Sequence, residues 1–326
     1  MRSERRRFLQ LSASAALASP FVVRGWSGLF VNGYAETLSP DRWKGQVAVA
    51  RDGSPQYNVT TYSNLLDKGL ARLLETDRPV EIWKRLFRPD DVVSIKVNAM
   101  AGRQLSPSYD LIRALVGRLS LAGVSEDRII VWDRTSRELQ RAGYPLNKSG
   151  RGVKVFGTDA MEDGYDREIS QAMSVGSCLA RIMSRYSTAT INVGVLKDHD
   201  LAGISVLMKN FYGAIHNPNK YHDQNCSPYI AHLCTHPEIR GKVRLHVVDA
   251  PVGQYQGGPA FHGSHTWPFR GLIVATDPVA ADRIALECID RQREKAGLVT
   301  LAAARRAPAW LDEAGRLGLG ESDRKR

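Results

Sequence analysis

Lys197, His199 and Lys209 bracket a short apolar run in LKDHDLAGISVLMKNFYG, residues 196–213. Lysine brings a compact positive charge. Histidine brings a ring whose charge changes near neutral pH. Both suit anion capture and proton transfer. All eight histidines of the chain fall between His199 and His265. Neutral imidazole is a common metal ligand, and aspartate completes many mixed nitrogen–oxygen sites. Spacing inside this window is less specific. His232 and His236 stand four apart, as do His222 and Cys226, but no H-E-x-x-H glutamate accompanies either pair.

The second signal lies at the ends of apolar runs. Asn98 follows SIKV, Asp133 closes RIIVWD, Lys197 follows INVGVL, Asp249 closes LHVVD and Asp277 closes LIVATD. If each run is a strand of one parallel sheet, these side chains converge on the crevice beyond the strands' carboxyl ends, where open α/β folds bind ligands. Lys96 sits inside a run of valine and isoleucine. Strand alternation puts Ser94, Lys96 and Asn98 on one face, where a lysine must reach solvent, pair with an acid or bind an anion. Lys96, Lys197 and Lys209 are therefore expected to form an anion-attracting pocket.

The catalytic candidates are Lys96, Asp133, Lys197, His199 and Asp249. Asn98, Lys209, Asn210, Asn225 and Asp277 are candidate ligand contacts, and Gly257 and Gly258 would let backbone approach a ligand closely. A metal ion, as a candidate cofactor, would draw on His199, His222, Cys226 and Asp249.

The positioning elements follow from periodicity. QVAVARD (46–52) reads as a strand, and residues 61–76 carry Leu65, Leu66, Leu70, Leu73 and Leu74 on one helical face. DVVSIKVNAM (91–100) is a β-branched strand. Ser106 and Pro107 read as the N-cap and first position of a helix that Gly123 ends. RIIVWD (128–133) is the next strand, so the unit is strand, helix, strand with parallel pairing. STATINVGVL (187–196) and KVRLHVVDAPV (242–252) are further strands. LAGISVLM reads as a packed helical turn, PYIAHLCTH (228–236) as a short helix, and residues 270–292 as strand, Asp-Pro turn and helix. The expected fold is α/β: a mostly parallel sheet with helices on both faces, in a single domain with loop insertions.

The chain has 326 residues and a formal net charge of +11. Residues 1–35 hold a basic start, Arg5-Arg6-Arg7, followed by small and apolar residues to Val23, which is the order of an export signal. SERRRFLQ resembles the twin-arginine motif. Cleavage is expected after Ala35 or Ala18. Loss of residues 1–35 removes five arginines and one glutamate and lowers the charge to +7. The chain is then expected to use the twin-arginine translocation machinery and to reside in the periplasm. Later charges of both signs are mixed, which argues against nucleic-acid binding. No later stretch approaches 18 apolar residues, so no stable membrane span is expected. Four cysteines form no C-x-x-C, and neither a G-x-G-x-x-G nor a P-loop occurs, so nothing supports an iron–sulfur cluster, NAD or ATP.

VSIKVN, SPSYDLIRALVGRLSLAG, IIVWD, INVGVLKDHDLAGISVLMKNFYGAI, HVVDAPVGQYQGGP and VATDPVAADRIALE follow one another in order. This set resembles the domain of unknown function 362 family, in its exported variant with a twin-arginine leader and no ferredoxin module. The resemblance implies an α/β domain of unsettled biochemical role. Family members with cysteine-rich ferredoxin segments imply redox or metal chemistry, and this chain lacks those segments. The expected function is a metal- or cofactor-assisted enzyme acting on a small anionic ligand. The alternative is a periplasmic binding or accessory protein that captures an anion or metal without catalysis.

Overall fold

A computed structural model describes residues 44–323 apart from 55 and 77. The leader, residues 1–35, lies outside the described residues. The chain begins with strand β1 (Val47–Arg51), helices α1 (Val59–Leu74) and α2 (Pro79–Leu86), β2 (Val93–Lys96), α3 (Tyr109–Leu121), β3 (Ile129–Asp133), α4 (Ser136–Arg141) and β4 (Lys154–Gly157). A small hairpin, β5 (Ser170–Ala172) and β6 (Val175–Ser177), precedes the long strand β7 (Ala189–His199) and the short β8 (Gly203–Ile204). Helices α5 (Tyr229–Cys234) and α6 (Pro237–Arg240) lead to β9 (Val243–Gln254), β10 (Thr266–Trp267), β11 (Gly271–Ala275), α7 (Pro278–Lys295) and α8 (Trp310–Arg316).

The main sheet has the order β1-β11-β9-β7-β2-β3-β4. From β9 to β4 every neighbouring pair is parallel, and β11 runs against both of its neighbours. Chain order therefore moves outward from β2 to β3 and β4, returns to β7, and moves the other way to β9. The direction reverses between β2 and β7, which is where α/β sheets open a crevice at their carboxyl edge. Lys96 ends β2 and Lys197 lies near the end of β7.

One face is covered by α1, α2 and α3. Tyr62, Leu66, Leu70, Trp83, Leu111 and Leu115 are buried there against Ile95, Val193, Val247 and Val274. The leucine spacing seen in residues 61–76 makes α1, which Asn58 caps by accepting from the Thr61 amide. On the other face α7 buries Val279, Ala281, Ala285 and Ile289. Its Asp282 carboxylate accepts the Leu207 and Met208 amides at 2.9 Å each, anchoring a 3₁₀ helix, Met208–Ala214, over the sheet.

Three local expectations are corrected. Helix α3 is capped by Ser108, whose hydroxyl accepts from the Asp110 amide, and not by Ser106. LAGISVLM is no helical turn. Gly203 takes φ +77° and lets β8 fold back antiparallel on Asp198 and His199, and the helix starts only at Met208. Finally, because β11 is antiparallel, Asp277 lies at the edge opposite to Asp133, Lys197 and Asp249. There it caps α7 through the Ala280 amide and ties down Gly45 and Glu321. It belongs to no convergent site.

Candidate functional site

The remaining candidates meet at the carboxyl edge, but in three separate arrangements. The first is saturated. Lys96 Nζ donates to Asp133 Oδ1 at 2.7 Å, Asn210 Oδ1 at 2.9 Å and Val97 O at 2.7 Å. An ammonium has three donors, and all three are used. Asp133 also accepts the Ala99 and Arg134 amides at 2.7 and 2.8 Å. Asn210 donates to Asn192, and Asn192 donates to Leu207 O and contacts His246 Nδ1. Burial pushes His246 down to about 3, so this ring is neutral at physiological pH. The network is complete, and it braces β2, β3 and β7 to the 3₁₀ helix.

The second arrangement is not saturated. Lys197 is fully buried, and its one hydrogen-bond partner among the described residues is Asn98 Oδ1 at 3.2 Å. Lys209 is buried as well. Its Nζ lies 3.2 Å from His222 Nε2 and 4.6 Å from the centre of the Tyr212 ring. Neither ammonium has a carboxylate ion-pair partner among the described residues. Burial pulls Lys197 down to about 8, and the neighbouring Lys209 charge adds to the effect. Burial likewise pulls Lys209 down to about 8. These two buried cations have no ion-paired counter-charge among the described residues, and Asp133 and Asp198 act on Lys197, and Asp200 on Lys209, only through space.

The histidines beside them are donors or relays. His222 Nδ1 lies 3.1 Å from Pro218 O, a carbonyl that can only accept. The proton is therefore on Nδ1, and Nε2 accepts from Lys209. The His199 ring lies 6.1 Å from that of His222. Its Nδ1 accepts the Leu201 and Ala202 amides at 3.1 and 3.2 Å, so the neutral ring carries its proton on Nε2. Burial first, then the Lys209 and His222 charges, push His199 down to about 2. The 2.8 Å approach of Asp200 Oδ1 to His199 Nδ1 is consequently not an ion pair, and this oxygen instead takes the Leu201 amide.

Chain geometry encloses this cluster. Gln224, Asn225 and Cys226 all take positive φ, at 49°, 57° and 61°. Each costs about 1–2 kcal/mol for a non-glycine residue, and such runs persist where surrounding structure imposes them. The run buries Cys226 near Lys209 and leaves Asn225 exposed, with its side chain 3.4 Å from Arg305 O. Burial raises the Cys226 thiol, with Lys209 pulling the other way. Asp198, between the two site residues of β7, turns to Arg306 at 2.6 Å and to the Gly258 amide at 2.7 Å. Gly258 is needed because a Cβ there would fall 2.0 Å from Asp198 O. Gly258 thus packs against β7 itself, while Gly257, at φ +88°, lies against the His262 ring.

Asp249 forms the third arrangement, on the face of α1 and α3. It accepts from the Tyr62 hydroxyl at 3.0 Å and the Ser108 amide at 2.7 Å. Burial raises it to about 6. It does not join His199, His222 and Cys226, and the expected four-ligand metal set is therefore not assembled. Among the described residues no group of three or more histidine, cysteine, aspartate or glutamate side chains is placed to hold a metal ion. His232 and His236 are separated too, each against a serine of the β5–β6 hairpin, Ser174 and Ser170.

Sequence reasoning missed several residues. Tyr212 supplies the ring under Lys209, Asn192 links the brace to His246, and Arg306 neutralises Asp198. Gly213 leaves the space that the Lys96–Asp133 pair fills, since a Cβ there would lie 2.9 Å from Lys96 Nζ and 3.0 Å from Asp133 Oδ1. The only advance signal was NFYG itself, directly after Lys209.

The profile of the family described as Domain of unknown function (DUF362) matches residues 93–287, more than half of the chain. No curated protein matches it. The chain belongs to the DUF362 family.

Proposed function

We propose that this DUF362-family protein binds a small anion, a carboxylate or phosphate group, between Lys197 and Lys209 at the carboxyl edge of β7. The observation that carries the reading is the pair of buried ammonium groups without a carboxylate partner among the described residues. An anion would supply the missing charge, and the Nε2 proton of His199 adds a neutral donor.

The enzymatic form of this reading assigns proton transfer to Lys209 and His222. Lys209, held at about 8, can gain or lose a proton near neutral pH, and His222 Nε2 is in hydrogen-bond reach to receive it. Capture without chemistry is the second reading. It is favoured by the saturation of Lys96 and Asp133, which removes two of five candidate catalytic groups. The proposal also includes export: residues 1–35 serve as a twin-arginine leader, and the folded domain acts in the periplasm.

Calorimetry with inorganic phosphate, acetate and oxalate tests the site. Binding that is lost in Lys197→Met and Lys209→Met supports it, and binding indifferent to both removes it. Conversion of a bound anion into a new product separates enzyme from binding protein. Export is tested by fusing residues 1–35 to a reporter. A reporter that reaches the periplasm even with Arg5→Lys and Arg6→Lys would refute the twin-arginine route.

A further inference from the structure

Three side chains outside the anion cluster stand in the order hydroxyl, imidazole, carboxylate. Ser174 Oγ lies 2.6 Å from His232 Nδ1, and His232 Nε2 lies 3.5 Å from Glu313 Oε1. They come from three elements: the turn of the β5–β6 hairpin, helix α5 and helix α8. The Tyr221 hydroxyl holds the hairpin, accepting the Gly176 amide at 3.1 Å and donating to Gly176 O at 2.7 Å. Ser174 is exposed at the turn, while the His232 and Glu313 side chains are 12% and 21% exposed.

Hydrogen bonding fixes the tautomer of His232. The Ser174 amide, which can only donate, points to Nδ1 at 3.4 Å. Nδ1 therefore carries the lone pair, and the neutral ring holds its proton on Nε2, facing a carboxylate that accepts. The Ser174 hydroxyl then donates to Nδ1, which is the arrangement of a nucleophile with its general base and an orienting acid. The neighbouring pair is built the other way. His236 Nδ1 accepts the Glu238 amide at 3.2 Å, so Nε2 donates to Ser170 Oγ at 3.0 Å and cannot take its proton. Met173, directly before Ser174, has φ +53°, a conformation that two-residue hairpin turns usually give to glycine. Non-glycine residues held in this region cluster at functional sites.

We infer that Ser174, His232 and Glu313 form a second site, independent of the anion cluster, that hydrolyses small carboxylic esters. Ser174 Oγ attacks the ester carbonyl carbon as its proton passes to His232 Nδ1. The ester C–O bond breaks, and the leaving alkoxide takes that proton and departs as an alcohol. Water then attacks the acyl-serine and gives a proton to Nδ1, and Ser174 recovers that proton as the carboxylic acid leaves. Glu313 touches no substrate. It is a positioning residue that holds the Nε2 proton and favours the imidazolium. Ile169 and Met173, which flank β5 and are 73% and 46% exposed, offer apolar surface to the acyl chain. Because the turn is open to water, a developing oxyanion is solvated there, which suits activated esters and not amides.

The test is hydrolysis of p-nitrophenyl butyrate by the full chain, together with fluorophosphonate labelling and mass spectrometry of the labelled peptide. The label should sit on Ser174. Ser174→Ala, a change at an exposed turn, should abolish labelling and hydrolysis alike. His232→Gln should slow hydrolysis about a hundredfold, the contribution of a general base. The wild-type rate should rise with pH as His232 loses its proton. The charges that face His232 are Glu313 of α8 and, through it, Arg316, which holds Glu313 Oε2 at 2.7 Å; residues 170–177 and α5 carry no charged side chain. Glu313→Gln removes the charge that favours the imidazolium, so the midpoint of the rise should fall by about one pH unit, a shift that a purely structural contact would not produce. Lys209→Met should leave hydrolysis intact, so this site and the anion site can fail separately. A label that spares Ser174, hydrolysis that survives Ser174→Ala, or an unmoved midpoint in Glu313→Gln would overturn the inference.

Discussion

Lys96 Nζ stands 2.7 Å from Asp133 Oδ1, with both side chains buried, while Lys197, five residues beyond the β7 partner of Lys96, has only an amide oxygen. Two lysines at one topological switch point thus have opposite roles. The first is an internal brace whose every donor is occupied. The second is a charge held open.

The brace makes a stability prediction. Removing one partner of a buried pair strands the other charge, at about 3–5 kcal/mol. Lys96→Met and Asp133→Leu are each expected to lose that much in urea unfolding. The double replacement should lose less than the sum, because no charge is left alone. Additive losses would show that the two side chains stabilise the fold independently.

Gly213 is predicted to be intolerant of even one methyl. A Cβ at 2.9 Å from Lys96 Nζ forces the ammonium from its three acceptors, and overpacking of this kind costs about 1–3 kcal/mol. Gly213→Ala should therefore unfold at lower urea than wild type. In a Lys96→Met background, where the displaced charge is absent, most of that loss should disappear.

Much of this architecture was legible because burial imposes period. The leucines of α1 and the β-branched runs of β2, β3 and β7 mark the sheet and its covering layer. Strand direction was not legible. Nothing in residues 255–270 reveals that β11 returns antiparallel, and so Asp277 was grouped with strand ends that lie at the opposite edge. Lys96 was read as a lysine in an apolar strand that must reach solvent, pair with an acid or bind an anion, and it was grouped with the anion pocket, whereas its three donors are taken up inside the protein. That its partners include Asn210, 114 residues later, depends on tertiary packing. Alternation along β9 turns His246 towards Asn192 and Asp249 the other way, towards Tyr62, so Asp249 does not join His199, His222 and Cys226 in the expected metal set.

Asp277 offers a control on the corrected topology. It caps α7 and ties two backbone amides, so Asp277→Ala should cost about 0.5–2 kcal/mol by thermal unfolding. Anion affinity should stay at the wild-type value, because the residue is across the sheet. A lost anion site in a folded Asp277→Ala protein would contradict this placement.

Lys209 gives the pH prediction. With the folded value near 8 and the free side chain near 10.4, the unfolded chain binds more protons across this interval. Lysine's own contribution to stability therefore rises as pH climbs from about 8 to about 10.4, and below 8 the full penalty of burying the charge is present. Lys209→Met lacks this contribution. We expect it to be more stable than wild type at pH 7, with the difference shrinking towards pH 10. Anion affinity should show the opposite course. It requires the charged ammonium, so it should fall as pH rises through about 8. Denaturation and phosphate titration at pH 6, 7, 8, 9 and 10 check both. An affinity that holds steady from pH 7 to 10 would mean that neither buried lysine holds the anion.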